Sequence, residues 1–151
     1  VPLKQQIDAD LKQAMLSGDK VLTTTLRGIK SAILYAEVAA SKRDDGLTDD
    51  EIVLLLTKEA KKRQESADLY ARGGNDASAQ AELMEREVIA RYLPAQLSDG
   101  ELRELVEAAI ATTGAVGQQD MGKVMSIVKQ QAGASADGAR VAMIVKEKLT
   151  Q

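Results

Sequence analysis

Aliphatic residues spaced three and four apart along nearly the whole chain predict an all-α protein, with a four-helix N-terminal part made of two hairpins and a small three-helix C-terminal domain. Two further observations support that architecture. The 151 residues are 44% hydrophobic but include only three aromatic side chains, Tyr35, Tyr70 and Tyr92, so the core has to be filled by Leu, Ile, Val, Met and Ala. The run YLPAQLSDGE, residues 92–101, then couples Pro94 to a capping box at Ser98 and Glu101. Proline disfavours helical geometry at the residue before it and removes a donor, and a capping box opens a new helix. This junction divides the chain into residues 1–94 and 95–151.

In the first helix Leu3, Ile7, Leu11 and Met15 repeat every four residues, and SGDK at 17–20 stops it and caps the next. The second carries Leu22, Leu26, Ile29, Ile33, Ala36 and Ala40, alternating steps that form a seam for an antiparallel partner. KRDDGLTDDE interrupts it. Thr48 and Glu51 make a capping box, opening a third helix through Val53, Leu56, Ala60 and Ala67 to Arg72. RGGND is the next turn, and a fourth helix runs from Asp76 to Tyr92. Three shorter helices follow at about 99–112, 121–132 and 137–149. Their apolar stripes are Leu102, Leu105, Val106, Ala109 and Ile110, then Met121, Val124, Met125 and Val128, then Val141, Ile144, Val145 and Leu149. Asp120 is placed to cap the sixth helix, Gly133 to end it in a left-handed conformation, and Ser135 or Asp137 to cap the seventh.

The chain contains no cysteine and no histidine. Disulfides, thiolate ligands, the commonest general base and every Ser-His or Cys-His nucleophile are thereby removed. No carboxylates stand at metal-ligand spacing, and DDGLTDDE lacks the alternating acids of a calcium loop. Thr23, Thr24 and Thr25 lie within a helix with no base nearby and read as structural. The expectation is therefore no catalytic residues, no cofactor and no metal. No apolar run approaches the ~20 residues of a membrane span, and no apolar signal segment stands near the start, so neither a membrane contact nor export is expected. On those grounds the protein is expected in the cytoplasm.

The stretch DMGKVMSIVKQQAGASADGARVAMIVKEKL, residues 120–149, brings a glycine-lysine step to a chain with net charge −3. It is not a phosphate-binding loop. No strand precedes Gly122 and Lys123, no upstream glycine has the required spacing, and Val124 stands where Ser or Thr belongs. Five Lys or Arg against three acids lie between Asp120 and Leu149, whereas Asp99 to Glu107 carries four acids and one Arg. At about 100° per residue, Met121, Val124, Met125 and Val128 point one way while Lys123, Ser126 and Gln130 point the other, with Lys129 at the flank. Lys123, Lys129, Arg140 and Lys146 are the candidate phosphate contacts. A second candidate basic patch lies in KEAKKRQE, where Glu59–Arg63 and Lys61–Glu65 form i,i+4 pairs and Lys58 and Lys62 lack one. The competing reading of both clusters is a solvated polar face. With so few aromatic rings, any RNA contact would read shape and backbone rather than stacked bases.

Three segments carry a resemblance: LTDDEIVLLLTKEAKKRQESADLY, ELMEREVIARYLPAQLSDGEL and the 120–149 stretch with Gly133, Ala136, Asp137 and Gly138. Together they resemble the YqeY family over nearly the whole chain, and the C-terminal half is similar to the tail domain of the B subunit of aspartyl/glutamyl-tRNA amidotransferase. One departure is KQQAGASADG, with Gln130 and Gln131 where many relatives carry more basic residues. The resemblance implies a tRNA contact, since that tail touches the outer corner of tRNA, and similar domains are appended to some glutaminyl-tRNA synthetases. It also implies, by transfer, a carbon–nitrogen ligase using glutamine as amido donor. Amide transfer needs a nucleophile to release ammonia and an ATP and metal site to activate the carboxylate, and neither is visible in this sequence. The expected function is a non-catalytic tRNA-binding module contacting the tRNA body, free-standing or appended to a tRNA aminoacylation or amidation enzyme. Its expected partners are tRNA and either a tRNA synthetase or an amidotransferase. Two alternatives stand beside it: a protein-interaction adaptor with no RNA contact, and an accessory component of such a ligase.

Overall fold

The computed structural model describes residues 2–150, apart from the side chain of Ala134. It is all-helical: α1 (Leu3–Ser17), α2 (Lys20–Ala39), α3 (Asp49–Arg72), α4 (Asp76–Ala90), α5 (Asp99–Thr113), α6 (Met121–Ala132) and α7 (Gly138–Leu149), with 3-10 turns at Gln118–Asp120 and Gly133–Ser135. Two compact units result, Val1–Leu93 and Pro94–Gln151.

In the first unit α1 pairs with α2 and α3 with α4, and α2 lies against α4. The core is aliphatic: Ile7 and Leu11 from α1, Leu26, Ile29 and Ile33 from α2, Ile52 and Leu56 from α3, Val88 and Ile89 from α4. Two expected positions shift. Ala14 is buried in α1 whereas Met15 is 53% exposed, because successive steps of four overrun a 3.6-residue period and the buried face moves to an i+3 position. In α2 the buried position after Ile33 falls on Glu37, not on an alanine. Its carboxylate is 2% exposed and accepts from Lys4 Nζ at 2.8 Å.

The connections are held by local polar groups. Gly18 closes α1 at φ 74°, a left-handed conformation that costs glycine little, and Asp19 then accepts from the amide of Leu22 to cap α2. Between α2 and α3, Lys42 Nζ donates to Glu51 at 2.5 Å while Thr48 and Glu51 complete the capping box. Helix α4 stops at Ala90, two residues short of expectation. The amides of Arg91, Tyr92 and Leu93 turn to carbonyls three residues back, tightening the chain before Pro94. Tyr92 Oη donates to Asp10 Oδ2 at 2.5 Å, tying this turn to α1. Burial, and then that carboxylate, push the Tyr92 phenol well above its ordinary pKa.

In the second unit α5, α6 and α7 pack on one another around Leu102, Val106, Val124, Val128, Val141 and Val145. Ser98 and Glu101 form the capping box that starts α5. The amide of Leu97 donates to the carbonyl of Ser135 at 2.8 Å, so the segment entering α5 is stitched to the turn between α6 and α7.

Candidate nucleic-acid interface

Helix α6 presents Val124, Val128 and Ala132 to the core, which leaves Lys123 and Lys129 exposed. Helix α7 buries Val141, Ile144, Val145 and Leu149, which leaves Lys146 exposed and Arg140 half-buried. Among the described residues, Lys123, Lys129 and Lys146 make no ion pair. Arg140 differs. Its guanidinium is taken by Asp99 at the start of α5, with Nε donating to Oδ1 at 3.0 Å and Nη2 donating to the same oxygen. That hydrogen bond, reinforced by the guanidinium charge, holds the Asp99 carboxyl below the usual carboxylate range. The nearby Lys148 donates to Glu107 at 2.7 Å. Acids of α5 thus neutralise two of the five cations between residues 120 and 149, across 41 residues of sequence in both cases.

The turn between α6 and α7 departs from expectation in two details. Asp120 makes no side-chain cap for α6; it accepts instead from the amide of Val116 at 3.1 Å, because the 3-10 turn before α6 already supplies a helical lead-in. Gly133 has positive φ, 55°, but ψ −131°, outside the left-handed helical region, so it swings the chain into a second 3-10 turn. Of the two proposed caps for α7, Asp137 makes the bond, accepting from Ala139. Gly138 leaves room for a neighbour. A β-carbon there would lie 3.7 Å from Cε and 4.0 Å from Nζ of Lys129, so this lysine rests over the amino end of α7. Helix starts carry partial positive charge, to which this lysine adds and which the Asp137 carboxylate partly answers.

The second cluster is more fully paired. Arg63 is bound by Glu59 and lies 3.5 Å from Glu85, and Lys62 reaches Glu59 at 3.5 Å, an i,i+3 partner in place of the missing i,i+4 one. Arg86 donates to Gln64 of the facing helix. Among the described residues Lys58 makes no ion pair, and neither does Lys61, whose expected bridge to Glu65 is not formed.

A family model described as Yqey-like protein matches residues 4–149. Similar proteins carry the name "Altered inheritance of mitochondria protein 41, mitochondrial". That of Meyerozyma guilliermondii is 33% identical over 131 residues, covering 82% of this chain and 65% of the relative. That of Clavispora lusitaniae is 31% identical over 104 residues, covering 68% and 59%. That of Eremothecium gossypii is 33% identical over 86 residues, covering 57% and 46%. The chain therefore spans less than two thirds of the length of these relatives. Their mitochondrial naming overturns the cytoplasmic expectation. That expectation rested on missing apolar segments, and mitochondrial transit sequences are amphipathic and Arg-rich, so an apolar criterion does not register them.

Proposed function

The chain belongs to the YqeY family, and from that premise we propose that it is a non-catalytic tRNA-binding module, contacting the tRNA body through its C-terminal unit. One observation carries the reading: Lys123, Lys129 and Lys146 are exposed and without ion pairs among the described residues, although acids outnumber bases in the chain as a whole. Lys129 over the amino end of α7 adds a cation there, at a helix start that the Asp137 carboxylate already caps through the Ala139 amide. Contacts of this kind read backbone and shape, so different tRNAs are bound alike. The relatives' names support a mitochondrial setting for that contact. The proposed role is an accessory one, beside a tRNA synthetase or amidotransferase.

Filter binding of the full chain to total tRNA at two salt concentrations tests the proposal. Micromolar or weaker binding that loses affinity as salt rises is expected, in the range of roughly 10⁻⁴–10⁻⁶ M typical of phosphate-dominated contacts. Binding that is absent at low salt, or indifferent to salt, would overturn it. Such weak affinity becomes effective when the module is tethered to a larger tRNA enzyme, through local concentration.

A further inference from the structure

The solvent face of α2 has charge of one sign. The helix contains Lys20, Arg27, Lys30 and one acid, Glu37, and Glu37 is turned inward onto Lys4. Lys30 lies 2.8 Å from Asp8 of α1, while Lys20 and Arg27 make no ion pair among the described residues. Two acids that share cavities with these cations are committed elsewhere. Asp19 caps α2, and Glu85, which shares a shallow cavity of about 250 Å³ with Lys20, Val21 and Thr24, lies beside Arg63. Towards its carboxyl end the same face becomes apolar: Leu34, Tyr35 and Val38 are 51%, 80% and 55% exposed.

These features share a register. Thr24, Arg27, Ser31, Leu34 and Val38 follow steps of three and four, a second seam opposite the buried one of Leu22, Leu26, Ile29 and Ile33. Gly28 sits beside that seam in mid-helix. A β-carbon there would meet nothing within 4 Å, so the fold itself gives no reason for the helix to carry its weakest ordinary former. A bare backbone on an outer face is what close approach by another chain uses.

We propose that this face of α2 docks an acidic amphipathic helix of another protein, its apolar residues on Leu34, Tyr35 and Val38 and its carboxylates on Arg27 and Lys20. Charge complementarity selects that occupant. A second copy would bring cations against cations if packed parallel and against the apolar end if packed antiparallel, and answers them in neither case. RNA would meet the aliphatic Leu34 and Val38 beside a single ring, Tyr35, where a base-stacking platform uses several. A membrane-surface helix buries its whole apolar face in lipid, whereas most of that of α2 is already in the core. The inference is independent of the tRNA reading, which concerns the other unit.

The test uses the full chain and two fluorescent synthetic helical peptides of the length of α2, with leucine at the seam positions and either glutamate or lysine elsewhere. The glutamate peptide should bind about tenfold or more tightly than the lysine peptide, a difference carried by the exposed cations. Gly28→Trp and Arg27→Glu should each weaken it about tenfold while leaving the helical spectrum and melting temperature intact, since both positions are open to solvent. Equal binding of the two peptides, or no effect of Gly28→Trp, would overturn the proposal. So would a concentration-dependent dimer dispersed by Gly28→Trp in sedimentation, or loss of tRNA binding in the two variants with peptide binding unchanged.

Discussion

Arg140 and Asp99 are joined by a two-pronged hydrogen bond between the first turn of α7 and the first turn of α5. Arg140 thereby differs from the three lysines proposed to meet tRNA, because its charge is already answered. Asp99→Asn should remove an anion and loosen the hold on that guanidinium, tightening tRNA binding about two- to fivefold at low salt, as expected of an exposed pair. Arg140→Ala should weaken binding less than Lys123→Ala or Lys129→Ala does. Parallel titrations of the four variants check the ordering.

The same pair sets a pH dependence. Arg140 holds the folded-state pKa of Asp99 below its ordinary value, so the pair stabilises the fold at pH values above that ordinary value. The contribution is lost as pH falls through the depressed folded value. Glu51 behaves likewise in the first unit, its carboxyl lowered by the hydrogen bond from Lys42 and by the amide of Thr48. Melting temperature should therefore decline below about pH 4. Asp99→Asn should melt lower than wild type at pH 7 but converge with it in acid, which thermal melts across the acid range will show.

Glu37 makes the first unit sensitive to a residue on another helix. Lys4, which is itself about half exposed, faces a carboxylate almost wholly withdrawn from water. Lys4→Ala leaves that buried charge without its partner and should cost about 2–4 kcal/mol, whereas Lys4→Met with Glu37→Leu should cost much less, because apolar replacement removes the desolvation penalty along with the attraction. Urea unfolding of the single and double variants measures the difference.

The all-α class and most core positions were legible because they follow from local period. Val124 and Val128, or Leu26, Ile29 and Ile33, need only their own helix to be placed. Where the structure departs from expectation, the cause is nonlocal or lies in turn geometry. Glu37 is buried because Lys4 reaches it from 33 residues away, and Arg140 is neutralised from 41 residues away. Pairing among acids and bases so far apart has no signature in spacing. Met15 leaves the core because successive steps of four overrun the helical period, and Asp120 does not cap α6 because a 3-10 turn precedes that helix. Gly138 was legible as a site of close approach, but Lys129 as the group approaching it was not.

The lysines without partners give the most direct test of the proposed interface. A cation that neutralises a phosphate releases a counterion, so each such contact adds roughly 0.7–0.9 to the slope of log affinity against log salt. Lys123, Lys129 and Lys146 are exposed, and their truncation disturbs no ion pair among the described residues. The triple Ala variant should therefore keep its helical content while its salt slope falls by roughly two to three. Affinity should drop similarly for different tRNAs, because backbone contacts carry no sequence information. An unchanged slope would mean that these side chains face only water, and the tRNA contact would have to be sought on other surfaces of the chain.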